Sequence, residues 1–331
     1  MYSEVFSVAV LLLVCFVVLI VLDLAVAGVL ALVAGLSFKR CFLWGLLSLA
    51  VPVLLMAYGL LIERNCYRVN RVELEFDSLP EAFDGYRLVH LSDIHSRSFR
   101  YRASSLQRAV DKVNSLDADM IVFTGDLVTI EPSELDVTEP VLKGLNARDG
   151  VVSVLGNHDY CTYINRGTSG MSPEQGRTVL VEREKAMGWK LLLNQNLILH
   201  RGNSRMAIVG VENTTTSPHF PSRGDLGKAL LGTDGLFKIL LSHDPTHWDH
   251  GVKGKDIALM LSGHTHAMQF SLLGWNPIKH FYRQYKGLYR YKNQCLYINI
   301  GLGETIFPAR IGAMPEITLI ELRKTKTIQK R

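Results

Sequence analysis

The feature that most constrains this chain is the near absence of charge over its first 62 residues. From Val5 to Ile62 the only charged side chains are Asp23, Lys39 and Arg40, whereas from Glu63 onward charged and apolar residues mix as in a soluble domain. A helix without a polar face has nothing to turn towards water, so this stretch belongs in lipid. Cys41 to Ile62 runs 22 residues without a charge, which at about 1.5 Å per residue crosses a hydrocarbon core of roughly 30 Å. The earlier run, Val5 to Leu36, is 32 residues interrupted by Asp23. It is too long for one upright span and too short for two comfortable ones, so its helix count stays open. Ala25-Val26-Ala27 resembles a signal-peptide cleavage site, but Met1 to Glu4 lack Lys and Arg and a second apolar run follows, which argues for retention.

Charge sets the orientation and the class of partner. Lys39 and Arg40 lie between the apolar runs and Arg64, Arg68 and Arg71 follow the second, so the positive-inside bias puts the following domain on the cytoplasmic face of the inner (cell) membrane. The first 62 residues balance Glu4 and Asp23 against Lys39 and Arg40, leaving the formal charge of +5 to the rest. A mildly basic domain beside an anionic bilayer suits an anionic, lipid-linked substrate and calls for no nucleic acid. Five cysteines without paired spacing imply neither a disulfide framework nor a thiolate metal site.

Past a basic linker around Arg64 to Arg71, apolar runs predict strands at Arg87–Leu91, Met120–Thr124, Val151–Leu155, Met206–Val211, Phe237–Leu241, Ile257–Leu261, Leu296–Ile300 and Ile317–Leu322. Leu106, Val110, Val113 and Leu116 recur at helical spacing, so a helix over about Ser104–Leu116 completes a βαβ unit. Later strands, joined by short turns at Asn194–Asn196 and Arg201–Asn203, are expected to pair antiparallel. The expected class is α/β.

Five motifs end these runs: Asp93-Ile94-His95, Gly125-Asp126, Gly156-Asn157-His158-Asp159, Ser242-His243 and Gly263-His264-Thr265-His266. In α/β sheets ligands collect at the carboxyl ends of strands, so loops distant in sequence can meet there. Carboxylate, imidazole and amide oxygen form a donor set for manganese, iron or zinc, and no cysteine intrudes. Each lone motif means little; together they point to a metal site. His90, His200, His219, His247, His250 and His280 are read as packing or surface residues.

The motif set resembles that of the calcineurin-like metallophosphoesterases over roughly Tyr86 to Leu322. Gly301-Leu302-Gly303, Pro308-Ala309-Arg310 and Pro315-Glu316-Ile317-Thr318 resemble the membrane-associated bacterial branch, whose best-defined activity is UDP-diacylglucosamine pyrophosphatase in lipid A synthesis. The resemblance implies a four-layer α/β/β/α sandwich carrying N-terminal transmembrane helices. It implies Asp93, His95 and His266 on one metal, Asn157, His243 and His264 on the other, and Asp126 bridging. The expected cofactors are two divalent ions, manganese first, with iron, zinc or magnesium as alternatives. Two such cations need a shared anionic ligand and acidify bound water, so hydrolysis of a phosphodiester or pyrophosphate through a bridging hydroxide follows. His158 is expected to serve the leaving oxygen, oriented by Asp159. The organisation expected is a membrane segment of two helices over 1–62, a linker and first strand over 63–85, and a catalytic domain over 86–331.

Two departures bear on substrate. Asp159 stands where the family's protein phosphatases have Glu, and Ala267-Met268 follow Gly-His-Thr-His where many relatives have two glycines. The first argues against a protein substrate. Between Lys279 and Lys292, basic residues interleave with Phe281, Tyr282, Tyr285, Tyr289 and Tyr291; a solvated hairpin with one aromatic face is the favoured reading over a grip on phosphates or headgroups. The competing functions are a metal-binding membrane scaffold without turnover and a phosphodiesterase or nuclease with a non-lipid substrate.

Overall fold

The computed structural model describes residues 2–305 and 307–326. The apolar start forms α1 (Tyr2–Ala34), then a second rod made of α2 (Phe38–Gly45), a 3-10 stretch over Leu46–Leu49 and α3 (Ala50–Leu61). The run whose helix count the sequence leaves open is one unbroken helix of 33 residues. At about 1.5 Å per residue it is longer than a hydrocarbon core of roughly 30 Å. The Asp23 carboxylate occupies space beside Gly45 that any larger residue there would fill. The 3-10 stretch has a cause in Pro52, which lacks the N–H that would bond the Ser48 carbonyl. By length and composition Phe6–Ala34 and Phe38–Asn65 are both able to cross a membrane.

The remaining described residues build two six-stranded sheets. The strands in chain order are β1 (Arg68–Phe76), β2 (Arg87–Leu91), β3 (Met120–Phe123), β4 (Val151–Ser153), β5 (Lys190–Leu191), β6 (Gln195–Arg201), β7 (Ser204–Gly210), β8 (Phe237–Leu241), β9 (Leu259–Ser262), β10 (Gly287–Tyr291), β11 (Gln294–Ile298) and β12 (Glu316–Lys324). One sheet runs β1-β12-β2-β3-β4-β5 and the other β10-β11-β9-β8-β7-β6. Strand alternation assigns the faces. Leu88, Met120, Val122, Val152, Ile239, Leu241, Leu259 and Leu261 meet between the sheets. Val89, Leu91, Ile121 and Phe123 point the other way, onto α4 (Ala103–Asn114), α5 (Leu135–Leu142) and α6 (Pro173–Ala186). The far face of the second sheet, with Val209, Leu240 and Met260, is covered by α7 (Leu226–Ala229) and a π-helical turn over Trp248–Val252. The layers are α/β/β/α, the fourth being thin.

The first strand expected within 63–85 is β1, which begins inside the stretch read as a basic linker around Arg64 to Arg71 and pairs parallel with β12 from Arg68↔Glu316 to Phe76↔Lys324. It is an edge strand whose outward Arg and Glu side chains disguise its alternation. The later strands are not uniformly antiparallel: β6–β7 and β10–β11 are, but β7–β8, β8–β9 and β9–β11 are parallel, because the helical segments after β7 and β8 return the chain to the same end of the sheet.

The second membrane rod docks on this domain. At Gly59 even a methyl group would lie 2.7 Å from the Arg310 carbonyl and 2.8 Å from Ile311, so the helix backbone rests directly on Ala309–Ile311. Arg64 donates to the Pro308 carbonyl at 2.7 Å. Arg310 is fully buried and ties the loop inward by donating to the carbonyls of Ile300, Gly303 and Ala313. The end of the second rod is thus packed on the domain.

Two histidines of the core carry a pH prediction. His90 bonds Thr124 Oγ1 at 2.9 Å and His247 bonds Ser242 Oγ at 2.9 Å. Burial lowers their pKa values to about 3 and about 4. The unfolded chain, titrating near 6.5, binds more protons between these values, so stability is complete above pH 6.5 and falls as the pH drops towards the folded values. His247 alone accounts for about 3 kcal/mol by pH 4. Denaturation midpoints measured against pH should show that slope, and His247→Gln should flatten it.

Candidate metal centre

The site lies where strands of both sheets end. Asp93 and His95 follow β2, Asp126 follows β3, Asn157 follows β4, His243 follows β8, and His264 and His266 follow β9. The loops are laced together: Asp93 N–H donates to the Gly125 carbonyl at 2.9 Å and His95 N–H to that of Asp126 at 3.0 Å. Gly125, at φ +98°, packs against the Gly156 backbone with no room for a side chain. Five candidate ligands also hold left-handed φ: Asp93 50°, His95 44°, Asp126 60°, His264 74° and His266 48°. Each costs about 1 kcal/mol or more, a concentration of strain typical of functional loops.

The structure brings all seven candidate side chains together in two groups. His266 Nε2 lies 3.1 Å from both Asp93 Oδ1 and His95 Nε2. Asn157 Oδ1 lies 2.8 Å from His264 Nδ1 and 3.1 Å from His243 Nε2, and the two ring nitrogens are 3.3 Å apart. Asp126 Oδ2 stands between the groups, 3.2 Å from His243 Nε2 and 3.6 Å from His95 Nε2. All are buried except His264, which is half-buried.

These distances test whether the donors fit a cation. His243 Nδ1 donates to the Thr124 carbonyl at 2.8 Å, so in the neutral ring Nε2 carries a lone pair. That lone pair faces Asp126 Oδ2 at 3.2 Å and Asn157 Oδ1 at 3.1 Å, three donor atoms converging as a bound cation requires. The titration behaviour agrees. Burial works to lower the His243 pKa, but the charges of Asp126 and Asp93 raise it to about 10. Burial works to raise Asp93, yet His266 and His243 hold it well below the ordinary carboxylate range. A pocket that grips a proton this firmly is short of positive charge, and the donor set fits divalent metals.

His158 borders the groups, its ring 5.0 Å from that of His95. Its orientation corrects the sequence reading. Nδ1 donates to the Thr129 carbonyl at 2.8 Å, and Asp159 does not reach it. The Asp159 carboxylate instead accepts four backbone N–H groups, from Asp126 (2.7 Å), Gly156 (2.8 Å), Leu127 (2.8 Å) and Val128 (3.1 Å). The 3-10 turn over His158–Tyr160 sends neighbouring side chains in different directions, so adjacency in sequence did not become contact. Burial, then the Asp126 charge, push the Asp159 carboxyl up to about 7, with the Gly156 and Val128 N–H groups opposing.

Sequence reasoning left out Tyr282 and Asp244. Tyr282 places its hydroxyl 2.8 Å from His264 Nε2, and Asp244 brings a buried, unpartnered Oδ2 to 3.9 Å from the same nitrogen. A position next to His243 was the one signal for Asp244; Tyr282 sat unmarked among the other aromatic residues of its segment.

Residues 86–268, just over half of the chain, match the Calcineurin-like phosphoesterase family. The chain belongs to that family. It is a metallophosphoesterase, a class of hydrolase that works with divalent metal ions, and the two groups around Asp126 are where it can hold them. It is 30% identical to the uncharacterized metallophosphoesterase YkuE of Bacillus subtilis over 87% of this chain and 98% of that protein. It is 33% identical to a transmembrane protein with metallophosphoesterase domain from Danio rerio over 88% of this chain, but spans only 64% of that protein. It is 27% identical to the UDP-2,3-diacylglucosamine pyrophosphatase LpxG of Chlamydia trachomatis, covering 77% of this chain and 89% of that protein. Membrane association agrees with the apolar helices and with the transmembrane relative.

Proposed function

We propose that this phosphoesterase hydrolyses a phosphodiester or pyrophosphate bond in a membrane lipid or lipid-linked nucleotide, on the cytoplasmic face of the cell membrane. The observation that carries the reading is Asp126 Oδ2 standing between two histidine-rich groups, in a domain packed on its own membrane rod. Asp93, His95 and His266 would hold one cation and Asn157, His243 and His264 the other, with Asp126 shared; manganese is the first choice. When bound, such a pair acidifies water and offsets phosphoryl charge. Residues 1–62 are the membrane segment and 86–331 the catalytic part, with 63–85 joined to it through β1.

The chain's own groups supply the rest. The Nδ1 of His158 is committed to the Thr129 carbonyl, which leaves Nε2 as the atom that holds or gives a proton to the leaving oxygen. We expect His158→Gln to lower kcat about a hundredfold while the thermal midpoint stays put. Tyr282 and His264 together form the wall where a phosphate oxygen would be positioned.

The Chlamydia relative makes UDP-2,3-diacylglucosamine the leading substrate class. Purified full-length protein in nanodiscs with manganese should be offered UDP-2,3-diacylglucosamine, phospholipids and bis(p-nitrophenyl) phosphate. Turnover of a lipid-linked substrate is expected, and turnover of the soluble diester alone would remove the lipid part of the reading. Saturation with manganese at a hundred times its Kd should add about 2.7 kcal/mol to stability. Chelation should reverse both this gain and turnover, as read by thermal denaturation and by product release.

A further inference from the structure

The loop from Ser271 to Arg283 exposes large apolar side chains that nothing among the described residues covers. Leu273 is 100% exposed, Phe281 75% and Trp275 54%. The loop is nonetheless built. Asn276 is fully buried, donating to the Ala267 carbonyl at 2.9 Å and accepting from Ile278 N–H at 3.0 Å, and Ile278 is buried beneath it. Buried anchors therefore hold a rigid turn that presents its greasy side outward, an arrangement that costs solubility unless something apolar receives it.

Its place relative to the membrane rod identifies the receiver. Gly59, one helical turn before the apolar run ends at Ile62, rests on Arg310 and Ile311. Ile311 therefore sits within about 5 Å of the hydrocarbon boundary along the helix axis. Ile311 is paired with the start of the loop: its N–H donates to the Gln269 carbonyl at 2.9 Å and its carbonyl accepts from Ser271 N–H at 2.7 Å. Leu273 follows two residues later, so strand spacing and chain reach keep its backbone within about 12 Å of Ile311. Lys279 and Arg283 stand exposed to either side of Phe281. Trp, Phe and Leu with flanking cations form the composition of a headgroup-level anchor.

We infer that Leu273, Trp275 and Phe281 insert into the anionic lipid interface and form a second membrane contact beside the rod, bringing the mouth of the metal site to the bilayer surface. Phe281 points outward while the next residue, Tyr282, reaches His264, so one short segment touches both lipid and site. This rests on the lipid-substrate reading above only for its consequence in catalysis, since the insertion itself is measured without substrate.

The test uses the full-length protein in nanodiscs of phosphatidylethanolamine and phosphatidylglycerol. An environment-sensitive fluorophore is placed at Leu273→Cys and, as control, at Leu231→Cys, which is 72% exposed next to α7; label on the native cysteines is subtracted. Quenching by lipids nitroxide-labelled near the headgroup should be about fivefold greater at 273 than at 231, as interfacial burial requires. Equal quenching overturns the proposal. In the second arm, Leu273→Ser with Phe281→Ser should lower kcat/KM for the lipid-linked substrate about tenfold and leave bis(p-nitrophenyl) phosphate turnover unchanged. Equal loss on both substrates would return the loop to a purely structural role. Should the parent protein turn over no lipid at all, the proposed substrate class falls and the quenching arm still decides this inference.

Discussion

Asp126→Asn is expected to lower turnover by about a thousandfold or more, with the fold intact and with fewer than two cations retained. The two oxygens of this side chain do different work. Oδ1 accepts the His158 N–H at 2.8 Å, a bond that an asparagine oxygen preserves. Oδ2 faces His243 at 3.2 Å and His95 at 3.6 Å, and there the substitution places an NH2 group that carries no negative charge and cannot be shared by two cations. Loss of the charge should also let the His243 pKa fall, because Asp126 is the main influence raising it against burial. Steady-state rates, metal content by mass spectrometry and thermal midpoints measured on one preparation separate these effects. A variant that kept turnover within about tenfold of the parent would reject the shared-carboxylate mechanism.

How far the sequence reveals this molecule depends on whether a residue's partner is local. Strand β2 coincides with its expected range because an apolar run stops abruptly at Asp93. Strands β7 and β8 are legible for the same reason, being buried on both faces. A first strand was expected within 63–85, but its start was not legible, since exposed Arg68, Arg71 and Glu73 read as a charged connection until β12 is seen beside them. That Asp23 would face Gly45, 22 positions further on, is announced by no local pattern. At the metal centre, residue types and glycine-flanked motifs named the seven side chains that the fold gathers. The left-handed backbone at Asp93, His95, Asp126, His264 and His266 was not legible, because Asp and His, though commoner there than most residues, adopt that conformation at only a small fraction of their positions. The same strain continues through Ala267, Met268 and Gln269, at φ 48°, 49° and 56°. The stretch is held by Asn276 on the Ala267 carbonyl and by Gln269 Nε2 on the Phe307 and Ala309 carbonyls. Strain at the ligand loop and contact with the membrane rod thus share the same supporting residues.

Asp159 carries the largest stability prediction, and the outcome for asparagine is the informative one. Replacement by Ala removes both oxygens and leaves four buried N–H groups, of Asp126, Leu127, Val128 and Gly156, without an acceptor. With each orphaned donor costing about 1–3 kcal/mol, a loss of at least about 4 kcal/mol is expected. An Asn side chain has nearly the same shape, but its geometry here is hostile. Whichever way the amide is turned, its NH2 group faces two backbone donors: those of Asp126 and Gly156 at the Oδ2 position, or those of Leu127 and Val128 at Oδ1. Asp159→Asn should therefore cost about 3 kcal/mol, which for a domain of this size lowers the thermal midpoint by roughly 10 °C. Turnover should fall with it, since the anchored N–H groups position Asp126 itself. The contrast with His158→Gln is what separates anchoring from chemistry: that variant is expected to lose rate and keep its midpoint. If Asp159→Asn melted with the parent and lost only rate, the carboxylate would be acting on the reaction directly, and its assignment as the clamp between the loops after β3 and β4 would be wrong.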